Sequence, residues 1–292
     1  MKKIIFLFSI FLCFVSCSET EELIQTEKKG KVSFRLRTVN YVGQTPLFAP
    51  TRAEGENTIE REPKYLLVLD VMDGKVVESN VVERDTGNVL APLELDLDFG
   101  NHTLYFVASY NLYDNYDKEN QTVEWGNSNK LNFVWAKKVE KEVSQEDIEV
   151  ENVDLSLMIA QLNLLIKDKL PDNLESITTS GDDLCWKLDL QTMAGVPNEV
   201  SHVTSIPESY RGKTNQFIST YTFVPENETV GDVTFVAESN DDSPQVLAQH
   251  TLTGVPVKLG YKTLYSGWFF ANLGGFSFTC QDEWLGTIEK EY

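Results

Sequence analysis

Between residues 93 and 99 an apolar side chain occupies every second position, Leu93, Leu95, Leu97 and Phe99, with Glu94, Asp96 and Asp98 between them. Successive side chains of a strand point to opposite faces, so a strict period of two makes one face oily and the other anionic. A helix would scatter both kinds around its circumference. Val32, Phe34 and Leu36 alternate in the same way with Ser33, Arg35 and Arg37. In the second half of the chain the pattern returns in Leu184, Trp186, Leu188 and Leu190, in Phe217, Ser219, Tyr221 and Phe223, and in Val233, Phe235 and Ala237. Short alternating strands separated by turn residues predict an all-β chain built as a β-sandwich in each half. Tyr65 to Met72 is more continuously apolar and predicts a central strand, with Asp73-Gly74 turning it tightly into Lys75-Val76-Val77. Gly100-Asn101 predicts a second hairpin, from the 93–99 strand into Thr103–Ser109.

The 292 residues are 41% hydrophobic and 11% aromatic, enough apolar surface for a sizeable core and incompatible with a disordered chain. Ser109 to Asn132, rich in Asn, Asp and Tyr and without a sustained period, reads as a long loop. The charged stretch Lys137 to Glu151 reads as the boundary between domains at 31–150 and 151–292. Leu155 to Ile166 fits a strand with a slip at Ala160-Gln161. A faint echo, G-x-x-T-L-Y at Gly100–Tyr105 and again at Gly260–Tyr265, suggests that the same turn launches an equivalent strand in each half.

Lys2 and Lys3 precede an apolar run from Ile4 to Val15, too short to span a bilayer and suited to a secretory signal. It ends in Phe14-Val15-Ser16-Cys17, a small residue and then a cysteine. Residues 1–16 are therefore expected to leave as a signal peptide, with lipid on Cys17 at the new N-terminus; an ordinary signal peptide with an incidental Cys17 is the competing reading. Residues 17–30, opening with Cys17-Ser18-Glu19-Thr20-Glu21-Glu22, form an acidic tether. Loss of Cys13 and lipidation of Cys17 leave Cys185 and Cys280 as the single pair for a disulfide. Strand phase points Cys185 outward and Cys280 inward, which argues against that pair.

Lys and Arg number 25 against 45 Asp and Glu, a formal net charge of -20. Such a field repels phosphate backbones and anionic lipid, and excludes nucleic acid as a partner. Fingerprints of zinc proteases, serine hydrolases, P-loops and dinucleotide folds are absent, and His102, His202 and His250 lie far apart, as ordinary strand or surface residues do. No enzyme, metal or cofactor is expected. Asp114, Asp117 and Glu119 read as solvated loop acids, since they lack the spacing of a calcium loop. Of the tryptophans, Trp186 reads as core, whereas Trp125 in its polar stretch, with Tyr113, is a candidate to stack on a sugar or a partner.

Several stretches resemble the fimbrillin and fimbrial-anchor family of Bacteroidetes. They are Leu155 to Ile166 with Pro171-Asp172-Asn173-Leu174, Phe217 to Pro225, Val255 to Gly267 and Phe276 to Trp284, in that order, with weaker matches at Gly30–Phe34 and Phe99–Asn111. The family's common Arg-Ala pair is replaced here by Met158-Ile159. The resemblance implies two serial transthyretin-like, Greek-key β-sandwiches on the cell surface. It further implies a lipid-anchored outer-membrane subunit of fimbriae that joins other fimbrial subunits by donor-strand exchange. In such families the stalk subunit loses its first strand to a protease after an arginine, for which Arg52 and Arg61 are the candidates. The stretch Leu285–Tyr292 is short for a donated strand, which favours an anchor or accessory subunit over a stalk, with a tip subunit kept in view. A surface glycan-binding lipoprotein is the alternative function.

Overall fold

The structure, a computed structural model, describes residues 28–39, 63–83, 90–144, 149–271, 277–282 and 286–290. In chain order the first half contributes β1 (Lys29–Val39), β2 (Tyr65–Met72), β3 (Lys75–Glu83), β4 (Leu93–Asp98), β5 (Gly100–Ser109), β6 (Asn115–Asp117), β7 (Thr122–Glu124), β8 (Val134–Val143) and β9 (Glu149–Leu157). The second half contributes β10 (Ile159–Ile166), β11 (Leu174–Gly181), β12 (Lys187–Asp189), β13 (Ala194–Val196), β14 (Val200–Ser205), β15 (Gln216–Phe223), β16 (Val233–Ser239), β17 (Val246–Leu252), β18 (Lys262–Gly267), β19 (Ser277–Asp282) and β20 (Gly286–Lys290). Among the described residues the only helical turns are 3-10 turns at Ser128–Leu131 and Glu208–Tyr210.

Two sandwiches of the same order follow one another. In the first, β3-β2-β5-β8 faces β9-β1-β4, and the two sheets touch by pairing only at Trp135↔Leu157 and Ala136↔Ser156. In the second, β14-β11-β16-β17 faces β15-β10-β18, which β19 and β20 extend. With β6, β7, β12 and β13 set aside, both read third-second-fifth-sixth against fourth-first-seventh. In both, the first strand is parallel to the seventh and antiparallel to the fourth. That shared Greek-key order is the transthyretin-like sandwich expected from the sequence. Side chains from facing sheets meet inside: the Phe34 and Phe106 rings are 5.1 Å apart in the first sandwich, and Thr220 Oγ1 donates to Thr179 Oγ1 at 3.3 Å in the second.

The turn at Asp73-Gly74 is as expected, with positive φ at both residues (51° and 74°) and β2 central between β3 and β5. The hairpin expected at Gly100 is not formed. β4 pairs with β1, and β5 with β2 and β8, so Gly100 marks a corner at which the chain crosses from one sheet to the other. Gly100 has φ 144°, and a Cβ there would sit 2.5 Å from Met72 Cε. Buried His102 fastens this corner: Nε2 donates to the Asp98 carbonyl at 2.7 Å, and Nδ1 lies 2.8 Å from Asp70 Oδ1.

Other expectations shift with the topology. Within the charged stretch read as a boundary, 137–143 belongs to β8 and 149–151 to β9, and Lys137, Glu140 and Glu142 are exposed. Leu155–Ile166 is two strands, β9 closing the first sandwich and β10 opening the second. The change of sheet thus falls at Met158. The G-x-x-T-L-Y echo does not mark equivalent strands, since Gly100 opens the fifth strand of one sandwich and Gly260 precedes the seventh of the other. β15 has the opposite phase to the reading that puts Phe217 with the core: Ile218, Thr220 and Thr222 are buried, and Phe217 is 45% exposed.

Ser109–Asn132 is the largest departure. It folds into β6, β7 and a 3-10 turn, and β7 pairs with β12 across the halves at Glu124↔Lys187, Val123↔Leu188 and Thr122↔Asp189. The result is a four-stranded sheet, β13-β12-β7-β6, shared by both halves. Trp125 N donates to Trp186 O at 2.9 Å, Leu190 N to Gln121 O at 3.0 Å and Tyr221 N to Ser128 Oγ at 2.6 Å.

Candidate assembly site

β1 is the strand on which the first sandwich turns. It lies inside its sheet, antiparallel to β4 from Lys29↔Asp98 to Phe34↔Leu93 and parallel to β9 from Val32↔Glu149 to Val39↔Ser156. Its period of two explains the placement: Val32, Phe34 and Leu36 are buried, while Lys31, Arg35 and Arg37 are exposed. Burial of each of those three apolar side chains stabilises by roughly 1.5–3 kcal/mol. Withdrawal of β1 therefore leaves an apolar slot, with Leu97, Phe106, Val153 and Leu155 among its buried neighbours, between two strands that have lost their hydrogen-bond partner.

The outer face of this slot is electrostatically one-sided. Beside the exposed side of β1, β4 presents Glu94, Asp96 and Asp98, and β9 presents Asp154. Lys29 Nζ is 3.4 Å from Asp98 Oδ1. The Arg37 guanidinium holds Asp154 through both carboxylate oxygens, Nη2 to Oδ2 at 2.8 Å and Nε to Oδ1. These hydrogen bonds lower the Asp154 pKa and raise that of Arg37.

Cys17, Arg52 and Arg61 lie outside the described residues. Cys185 does not look outward; it is a fully buried free thiol that forms no bridge. Its amide donates to Thr222 Oγ1 at 2.9 Å, and burial, with a smaller push from Asp183, drives its pKa up to about 12. The backbone of Cys280 lies in β19 opposite Thr263. Asp114 and Asp117 are spent on local structure: Asp114 accepts from Lys130 and from Gly126 N at 2.5 Å, and Asp117 from the amides of Glu119 and Asn120. Among the described residues no group of three or more His, Cys, Asp and Glu side chains is arranged to hold a metal ion.

Trp125 is not available for stacking on a sugar. It is fully buried, with its ring 5.4 Å from Phe223 and 6.3 Å from Tyr113, and its Nε1 donates to Asn111 O at 3.2 Å. An open cleft of about 400 Å³ lies beside the shared sheet, between Asp189–Pro197 and Pro225–Asn227. No aromatic ring lines it, so this cleft offers no flat apolar platform on which a sugar ring could stack. The sequence reading missed the pairing of basic β1 with acidic β4. Both alternations were visible, but neither says which strands are neighbours.

No protein-family model and no curated protein matches this sequence. Solved structures do match in fold. A fimbrial assembly protein from Parabacteroides distasonis superposes with a TM-score of 0.53 at 15% identity, over 91% of this chain and 100% of that one. A candidate adhesin from Bacteroides thetaiotaomicron gives 0.52 at 10% identity, over 90% and 98%. The fimbrial anchor protein Mfa2 from Porphyromonas gingivalis gives 0.50 at 10% identity, over 91% and 100%. The resemblance drawn from the sequence stands at the level of fold: the chain has the two-sandwich architecture of Bacteroidetes fimbrial assembly and anchor proteins.

Proposed function

We propose that the chain is a lipid-held anchor or accessory subunit of fimbriae, attached to the outer membrane through Cys17. In this reading it joins its neighbour by exchange of a strand in the first sandwich. The observation that carries the proposal is β1: an alternating strand inside its sheet, followed in sequence by the Arg52- and Arg61-bearing connection to β2, in a fold shared with fimbrial assembly and anchor proteins. Its removal leaves a slot with unpaired backbone on both sides and apolar pockets along its floor, the requirement for strand addition. Cleavage after Arg52 or Arg61 would release β1 outright in a polymerising subunit; in an anchor β1 stays joined to the chain and leaves the slot by displacement as the partner strand enters.

Attachment is tested through Cys17. The several acyl chains of a bacterial lipoprotein hold a protein lastingly, where a single chain holds it marginally. The Cys17→Ser variant is expected to move from the outer-membrane fraction to the soluble fraction and to lose incorporation of radiolabelled palmitate. Retention in the membrane with labelling unchanged refutes the anchor reading.

A further inference from the structure

β1 is an anomaly of charge in an acidic protein. Its sequence, KGKVSFRLRTV, carries Lys29, Lys31, Arg35 and Arg37 and no acid, in a chain whose anions outnumber its cations 45 to 25. All four cations fall on the outward phase of the strand, and the register sets carboxylates beside three of them, Arg35 standing beside Asn152. Lys29 pairs with Asp98 and Lys31 with Asp96 on β4, Ser33 stands opposite Glu94, and Arg37 is clamped by Asp154 on β9. β4 repeats the reverse pattern, LELDLD, with no cation. None of the other described strands alternates Lys or Arg with apolar residues in this way.

We infer that the β1 slot selects its occupant by charge as well as by shape: the partner segment it accepts is an extended strand with apolar residues on one face and Lys or Arg at alternate positions on the other. This inference rests on the strand-exchange reading above and adds the identity of the strand exchanged. The physical basis is cross-strand pairing. Opposite charges directly across neighbouring strands attract and like charges repel, and here one occupant meets acidic neighbours on both sides. An acidic strand of equal hydrophobicity would fill the same pockets while setting its charges at positions 29, 31 and 37 against Asp98, Asp96 and Asp154, a repulsive element that excludes wrong partners. β20, GTIEK, does not have this pattern and does not fit the rule as an occupant.

The full chain is unfolded in denaturant and refolded with excess fluorescent peptide, so that peptide competes with β1 for the slot. One peptide has the sequence of residues 29–39; the other is identical except for Lys29→Glu, Lys31→Glu, Arg35→Glu and Arg37→Glu. At low salt the basic peptide is expected to co-elute with the protein at least about tenfold more than its charge-reversed twin. That ratio should shrink severalfold in about 0.5 M salt, where screening reaches only a few ångströms. Equal uptake of both overturns the selection rule and leaves strand exchange standing; uptake of neither overturns strand exchange and the rule with it. A second measurement needs no peptide. In the intact chain, Arg37→Asp and Asp154→Arg each lower the melting temperature at low salt, and the double variant recovers at least half of the summed loss. Strictly additive losses also overturn the rule.

Discussion

Single residues carry the clearest disagreement between pattern and fold. Cys185 stands between Leu184 and Trp186, so alternation sends it outward; in the structure the shared sheet covers that side, and residues 184, 185 and 186 are all buried. The packing there is close, since a Cβ on Gly195 would lie 2.7 Å from Cys185 Cβ and 2.9 Å from Phe223 Cβ. With its pKa raised to about 12, the thiol holds almost no thiolate at neutral pH. Iodoacetamide at about pH 8, near the ordinary thiol value, should leave Cys185 unlabelled in the folded protein and label it fully in denaturant. Labelling at the rate of a free thiol contradicts this burial. His202 supplies a pH dependence. Its Nε2 is buried without a partner, its ring meets Trp186 edge-on at 6.2 Å, and desolvation lowers its pKa below 6.5. The unfolded chain then takes the proton first, so the contribution of His202 is present above about pH 6.5 and lost as pH falls through the lower folded value. Melting temperature should drop between about pH 7 and pH 5, and drop less in His202→Gln. An equal drop in both proteins assigns the effect elsewhere.

At the scale of elements, strands were legible and their partners were not. Period two located β1, β4 and β16 and gave the correct inward set for each, because in each the apolar phase is more deeply buried than the phase between. It failed where other forces decide. β4 and β5 look like a hairpin because a glycine joins two strands, yet Gly100 serves a corner between sheets, and no local signal separates the two uses. Ser109–Asn132 looked like loop because its strands are three residues long and its order comes from the other half of the chain. Trp125 is the anchor of that junction, buried against Phe223 of β15. Trp125→Ala should cost roughly 3–5 kcal/mol, as large-to-small changes of buried aromatics do. Because the lost contact couples the halves, the single calorimetric transition expected of the native chain should separate into two. One transition at an unchanged temperature contradicts a junction held by Trp125.

At the scale of the whole molecule, the two sandwiches repeat one strand order with little sequence in common, and the fold they make superposes on the solved fimbrial structures over about nine-tenths of the chain. All-β class and two-part organisation were readable because they follow from periodicity and turn residues. The passage of the chain from one pair of sheets to the other, between β9 and β10, shows only in the strand pairing, because the exposed charges of β8 resemble a linker in sequence. The candidate site was half legible: β1 and its alternation were evident, and the acidic rim of its slot emerged only with the register. The proposed function rests on the N-terminal region, where the expected signal peptide, Cys17 and β1 follow one another in sequence. Intact mass and N-terminal analysis of the protein recovered from its native outer membrane tests it most directly. The anchor reading predicts a chain that begins at an acylated Cys17 and still contains β1, and a start at Ala53 or Glu62 would mark a polymerising subunit instead. A soluble chain with an unacylated N-terminus upstream of β1 contradicts the account.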